Sequence, residues 1–266
     1  MNKKRHPLSV LYSVFIFLFL YAPIIVLIVF SFNESKSRGR WTGFSLRWYQ
    51  ELFDNSTLMD ALKTTLAVAL ISSAIAVIIG TAAALGLHYS KKRIRNVLMN
   101  ITSLPMVNAD IVTGISLLLL FTFIGLKLGF VSLLLAHITF NIPYVILSVM
   151  PKLTQLDNNT FEAALDLGAT PLQAFFKVML PEISPGIVTG FILAFTMSID
   201  DFVISFFTTG ADVNTLSVAI YSMTRRGIKP EINALSTLMF IVVLTLLIVV
   251  NVRSGRDVQK REKERH

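Results

Sequence analysis

The sequence predicts an all-α polytopic membrane protein with about six transmembrane helices, and three observations carry that prediction. Hydrophobic residues make up 54% of the chain and charged residues only 15%, with a mean hydropathy of +0.68, a composition outside that of soluble domains. The apolar residues fall into long runs, each close to the roughly 20 helical residues that cross about 30 Å of hydrocarbon. The runs lack the short alternating pattern of barrel strands, and lipid satisfies no backbone hydrogen bonds, so the crossing elements must be helices.

The first run, residues 8–32, follows Lys3, Lys4 and Arg5 and at first sight looks like a secretory leader. It exceeds the ~7 to 15 apolar residues of a leader, and no small-x-small cleavage site follows, so it is expected to remain as an anchor. Residues 33–60 place Trp41, Trp48, Tyr49 and Phe53 among charges, which suits an amphipathic helix at the membrane surface. Further spans are expected near 62–87, 97–125, 130–150, 184–206 and 232–252. Residues 202–221 imitate a span, but the turn cluster Thr208-Thr209-Gly210-Ala211-Asp212 makes them the outer end of the fifth span plus an external loop. Glycines 80, 86, 114, 186 and 190 are expected as close-packing points between helices. No repeat or low-complexity linker divides residues 1–266, which are expected to form one transmembrane domain.

Orientation follows from the basic residues. Three precede the first span, four lie in 88–96, two in 151–183 and six follow from Arg253. This bias places both termini, the loop 151–183 and the basic tail 253–266 on the cytoplasmic side of the membrane. The net charge of +8 is thereby assigned to topology, and no nucleic acid is expected as a partner. With no cysteine and four scattered histidines, neither a metal centre nor a catalytic constellation is expected. A Gly-x4-Gly-Lys-Ser/Thr nucleotide loop is absent from the sequence, so no nucleotide is expected on this chain.

Between the fourth and fifth spans lies Phe161-Glu162-Ala163-Ala164-Leu165-Asp166-Leu167-Gly168-Ala169-Thr170, then Lys177-Val178-Met179-Leu180-Pro181. Asp157 to Thr160 can cap a short helix, Glu162 sits in its first turn, and Gly168 is a natural residue just past its end. A second helix is expected to start near Pro171 and to stop before Pro181. Such a helix-turn-helix, showing Ala163, Ala164 and Leu167, suits docking into a groove of another protein.

The spacing Glu162-Ala163-Ala164, Gly168, Val178, Leu180-Pro181 resembles that of ABC importer permeases, which carry Glu-Ala-Ala, Gly, Ile and Leu-Pro at these intervals. The one departure is Val178 for isoleucine, a single methylene. The resemblance implies a type I (MetI-like) permease fold, with residues 162–168 as the coupling helix set in a cleft of the ATPase. ATP and Mg would be used by that partner, with no cofactor on this chain. Across nearly the whole chain, Trp41-Thr42-Gly43-Phe44, Trp48-Tyr49, Ala136-His137-Ile138-Thr139-Phe140, Asp200-Asp201 and Pro230-Glu231-Ile232-Asn233-Ala234 resemble the permeases of spermidine/putrescine importers of the PotC type. That resemblance implies a PotB-like second permease, two PotA-like ATPases and an extracytoplasmic PotD-like polyamine-binding protein.

A carboxylate at mid-bilayer costs about 2.5 to 3.5 kcal/mol on insertion scales, so Asp110, Asp200 and Asp201 call for a function. At ~1.5 Å per residue Asp110 lies about 20 Å into the third span and Asp200 about 27 Å beyond Glu182. Carboxylates with Ser198 and the aromatic faces of Trp48, Phe202 and Phe206 would suit a flexible polycation. Other readings stay open. Asp200 or Asp201 can pair with Arg225 or cap a helix end, Asp110 can satisfy a break after Pro105, and Trp48 can be an interfacial anchor. Thiamine or iron remain alternative cargoes, as does a secondary carrier using the carboxylates as a relay; an oxyanion would be repelled.

Overall fold

The computed structural model describes residues 7–35, 40–226, 230–245 and 248. The N-terminal cluster Lys3 to Arg5, the tail 253–266 and, apart from 248, the stretch 246–252 of the expected sixth span lie outside them. Among the described residues the regular structure is helical, with one isolated antiparallel bridge between Asn33 and Phe44. The helices are α1 (Pro7–Ser31), α2 (Arg47–Asp54), α3 (Ser56–His88), α4 (Lys92–Val107), α5 (Asp110–Phe123), α6 (Phe130–Thr154), α7 (Asn158–Asp166), α8 (Pro171–Ala174), α9 (Leu180–Asp200), α10 (Val203–Thr208), α11 (Leu216–Arg226) and α12 (Glu231–Thr245).

Among the described residues four helical stretches are long and apolar enough to cross a membrane, and the bent pair α4–α5 makes a fifth if it counts as one span. With its 33 residues α3 rises about 50 Å and outreaches the hydrocarbon. The described part of α12 is shorter than a span.

Two compact units divide the chain. One comprises residues 1–59 with 220–266. Within it Asn33 organises the segment after α1: its side-chain amide donates to the Arg40 carbonyl at 2.9 Å and its Oδ1 accepts from the Thr42 amide at 2.9 Å. Its own carbonyl takes the Trp48 indole N–H at 2.5 Å. Tyr49 Oη meets Ser31 Oγ at 2.8 Å, and Phe32 stacks on Phe44. The amphipathic helix expected in 33–60 is α2, which buries Trp48 and Leu52 and closes an exposed Arg47–Glu51 pair one turn apart.

The other unit, residues 60–219, holds the core. Val145, Ile146, Val149, Met150 and Leu153 of α6 pack with Ala76, Ala84 and Leu87 of α3 and with Ile183 and Ala194 of α9. Glycines set the spacing. A Cβ on Gly80 would stand 2.8 Å from Val145 Cβ, and one on Gly190 3.2 Å from Val145 Cα, so Val145 is wedged between two glycine-lined helices. A Cβ on Gly114 of α5 would meet Phe207 of α10 at 2.9 Å, whereas Gly86 faces open space and is no packing point here.

Three expected helix boundaries are corrected, two of them in spans. The stretch 97–125 is not one helix: Asn108 and Ala109 are extended, and α4 and α5 meet at 103°. Pro105 removes a helical N–H, and Asn competes with its own backbone; the chain then restarts at Asp110, whose carboxylate suits a helix N-terminus. The helix begun at Pro171 does not stop before Pro181 but runs on to Asp200. A π-helical turn, Phe175–Met179, with the Leu180 amide bonded to the Phe175 carbonyl, widens the backbone where the proline ring would clash. The expected span 184–206 ends instead at Asp200, because Asp201 is extended (φ −63°, ψ 125°) and α10 starts afresh.

Candidate functional site

The loop between α6 and α9 is built from capped pieces. Asp157 accepts from the Asn159 amide at 3.0 Å and so starts α7. At the other end Gly168, with φ +86°, donates to the Leu165 carbonyl at 2.9 Å, and the Ala169 amide donates to that of Ala164 at 3.0 Å. This pair of bonds is the Schellman stop, which needs a left-handed residue. Thr170 and Gln173 then form a reciprocal capping box ahead of Pro171, placing the proline in the first turn.

No atom lies within 4 Å of a Cβ added at Gly168, so Gly168→Ala meets only the left-handed backbone penalty of about 1 kcal/mol. We expect the amides of Gly168 and Ala169 to exchange hydrogen roughly fivefold faster in that variant, the equivalent of 1 kcal/mol. Unchanged protection would remove the stop from this glycine.

The motif residues divide by exposure. Glu162, Ala163, Gly168 and Pro181 are exposed, whereas Ala164, Val178 and Leu180 are half-buried. Beside them Leu167 is 88% and Leu172 69% exposed. Glu162 stands at a cleft of about 520 Å³ whose other walls are Leu85, Tyr89, Phe161, Leu165, Phe175 and Met179. Val178 lines a small hollow with Leu156, Thr160 and Phe161, and Leu180 packs on the α3–α6–α9 core. The outward residues form a carboxylate beside apolar side chains, and the inward ones brace it.

The expected pathway residues are placed less uniformly. Asp110 opens α5 and is exposed; Asp200 ends α9 and is exposed. Asp201 does not share that setting. Its side chain is 7% exposed and its two oxygens cap α10, accepting from the Ile204 amide at 3.2 Å and the Ser205 amide at 2.7 Å. Ser198 is buried, Phe202 half-buried, and Phe206 49% exposed, with the two rings 5.6 Å apart. Ser198, Asp201, Phe202 and Phe206 therefore gather at the α9–α10 break. Trp48 belongs to the other unit and is 1% exposed, so its ring face is covered, and its indole N–H donates to the Asn33 carbonyl. Arg225 lies over the Tyr221 ring at 5.0 Å.

One buried feature went unnoticed in the sequence. His137, 1% exposed, meets Ser198 Oγ at 2.6 Å through Nδ1 and Ser205 Oγ at 3.1 Å through Nε2. Its signal was available as a histidine inside an apolar span, a position that calls for partners.

Four helices long and apolar enough to cross a membrane, or five with the bent pair, and a capped helix-turn-helix between two of them define the class of a multi-pass membrane component. The chain belongs to the family of binding-protein-dependent transport system inner membrane components, whose model matches residues 76–256. It is 39% identical over 209 residues to the spermidine/putrescine transport system permease protein PotC of Haemophilus influenzae, covering 79% of this chain and 81% of that protein. It is 40% identical over 208 residues to PotC of Escherichia coli K12, covering 78% and 79%. The putrescine transport system permease protein PotI of the same strain is 41% identical over 206 residues, covering 75% and 73%. A bacterial ABC transporter that imports alginate shares the fold, with a TM-score of 0.70 over 94% of this chain and 98% of that one at 16% identity. The MetNI methionine ABC transporter aligns with a TM-score of 0.59 over 76% and 95% at 19% identity.

Proposed function

We propose that this chain is the permease subunit of an ATP-driven importer that moves polyamines, spermidine or putrescine, across the bacterial cytoplasmic membrane by alternating access. The observation that carries the reading is identity of 39 to 41% to permeases named for these cargoes, over three quarters or more of this chain. Both termini face the cytoplasm. A second, PotB-like permease completes the translocation path, two PotA-like ATPases bind ATP and Mg and dock on α7, and a PotD-like protein delivers the cargo from outside. This chain holds no cofactor, metal or catalytic residue.

The chemistry supports a cation. The exposed carboxylates Asp110 and Asp200 and the exposed Phe206 ring offer charge and an aromatic face to ammonium groups separated by methylenes. The deciding experiment reassembles the four-component complex in liposomes and measures ATP hydrolysis and uptake with spermidine, putrescine, thiamine and ferric iron. Stimulation by a polyamine is expected; stimulation by thiamine or iron alone would sink the cargo assignment, and uptake without ATP would favour a secondary carrier. Within this reading Asp200→Asn removes a charge-assisted hydrogen bond worth about 1.5 to 3 kcal/mol and raises the uptake KM roughly ten- to hundredfold. An unchanged KM in both Asp200→Asn and Asp110→Asn would take these residues out of the path.

A further inference from the structure

His137 sits in a chain of polar side chains that crosses the buried middle of residues 60–219. Asn141 Nδ2 donates to Ser72 Oγ at 3.2 Å, Ser72 Oγ meets Ser198 Oγ at 3.3 Å, and Ser198 Oγ meets His137 Nδ1 at 2.6 Å. On its far side the ring places Nε2 3.1 Å from Ser205 Oγ and 3.6 Å from Asp201 Oδ2. Beside the carboxylate the ring proton belongs on Nε2, because an acceptor facing an acceptor is repulsive. Nδ1 then accepts from Ser198, while Ser72, which accepts from Asn141, has one proton for either Ser198 at 3.3 Å or the Ala69 carbonyl at 3.4 Å. The series joins α6, α3 and α9 to the break before α10, and a buried polar network with its members satisfied fixes one arrangement of its layer.

Asp200 is the residue directly before this carboxylate, and Phe206 directly follows Ser205. Both are exposed, whereas Asp201 and Ser205 are held from behind. We infer that His137 is a positioning residue for the transport path: by tying Ser198 of α9 to Asp201 and Ser205 at the α9–α10 break, it sets the direction in which Asp200 and Phe206 are presented. The inference rests on the proposed function for its cargo but on this geometry for its residue. It also divides the adjacent aspartates, Asp200 for the cargo and Asp201 for the fold.

The test uses the complete complex in liposomes with wild-type, His137→Ala, His137→Gln, Asp200→Asn and the His137→Ala/Asp200→Asn double variant. Per assembled complex, His137→Ala is expected to raise the spermidine KM about tenfold, and His137→Gln, whose amide N–H can still donate toward Asp201, to stay within about threefold of wild type. In the Asp200→Asn background His137→Ala should add less than about twofold, since the carboxylate it aims is gone. A loss of assembled complex with an unchanged KM, or effects that multiply in the double variant, would overturn the assignment.

A second arm does not depend on the cargo. Asp200→Cys places one thiol in a chain that has none, and its labelling by 2-aminoethyl methanethiosulfonate is followed by mass on this chain. His137→Ala should change that rate by about fivefold or more, and an equal rate overturns the positioning role. A wild-type complex that moves no polyamine overturns the cargo reading, and the labelling arm then decides the role of His137. If His137→Ala does not assemble, Ser205→Ala, which removes one partner of Nε2 and keeps the Asp201 cap, replaces it in both arms.

Discussion

Replacing Glu162 with lysine is expected to abolish cargo-stimulated ATP hydrolysis in the reassembled complex while leaving the permease folded. The carboxylate is exposed at the mouth of a cleft whose remaining walls are apolar or aromatic, and no hydrogen bond or ion pair engages it among the described residues. Its removal therefore disturbs little inside the chain, where surface substitutions stay within about 0.5 kcal/mol. Its reversal acts on whatever docks there. Truncating one member of a buried interfacial charge pair costs about 2 to 5 kcal/mol, and a lysine adds repulsion to that loss. At 3 kcal/mol the dissociation constant rises more than a hundredfold. Two readouts separate the outcomes. The thermal midpoint of the isolated permease pair should stay at the wild-type value, and stimulated ATPase activity should fall to the unstimulated level. A Glu162→Lys complex with full stimulation would show that α7 is not the contact through which hydrolysis and transport are joined.

The helix-turn-helix after α6 was legible in the sequence because its signals are local. A cap residue, a left-handed glycine and a first-turn proline each act over four or five positions, and Asp157, Gly168 and Pro171 do in the structure what their chemistry suggests. Pro181 misled for the opposite reason. Whether a proline ends a helix depends on the turn before it, and the π turn at Phe175–Met179 that accommodates it has no composition of its own. The break at Asn108–Ala109 was hidden by hydropathy, which runs apolar through both α4 and α5 and does not register a 103° bend. At the α9–α10 break, residue type alone made Asp200 and Asp201 equivalent. Only the placement of α10 distinguishes them, by turning one carboxylate onto the Ile204 and Ser205 amides. His137 shows the same limit: its partners lie 61 and 68 residues away in the chain, a distance over which no pattern in one sequence speaks.

Gly186→Leu is expected to damage the packing of α9 on α6 severely. A Cβ at this position would stand 2.9 Å from the Ser148 carbonyl oxygen, 2.9 Å from Lys152 Cγ and 3.3 Å from Val149 Cα. The lysine can swing aside, but the carbonyl and the Cα belong to the backbone of α6 and cannot. One turn further along, Gly190 is pressed against Val145 Cα, so α9 cannot tilt away from α6 at one glycine without losing contact at the other. Overpacking costs about 1 to 3 kcal/mol where side chains can yield; where backbone meets backbone in a core shared by α3, α6 and α9, we expect at least the upper end of that range. Gly86 supplies the control. It lies in α3 with nothing within 4 Å of its Cβ direction, and Gly86→Ala should gain up to about 1 kcal/mol from helix propensity. Melting of the detergent-solubilised permease checks both, with the midpoint lowered for Gly186→Leu and unchanged or raised for Gly86→Ala. Equal shifts for the two would mean that intrinsic helix propensity, and not the approach of α6 to α9, governs these positions.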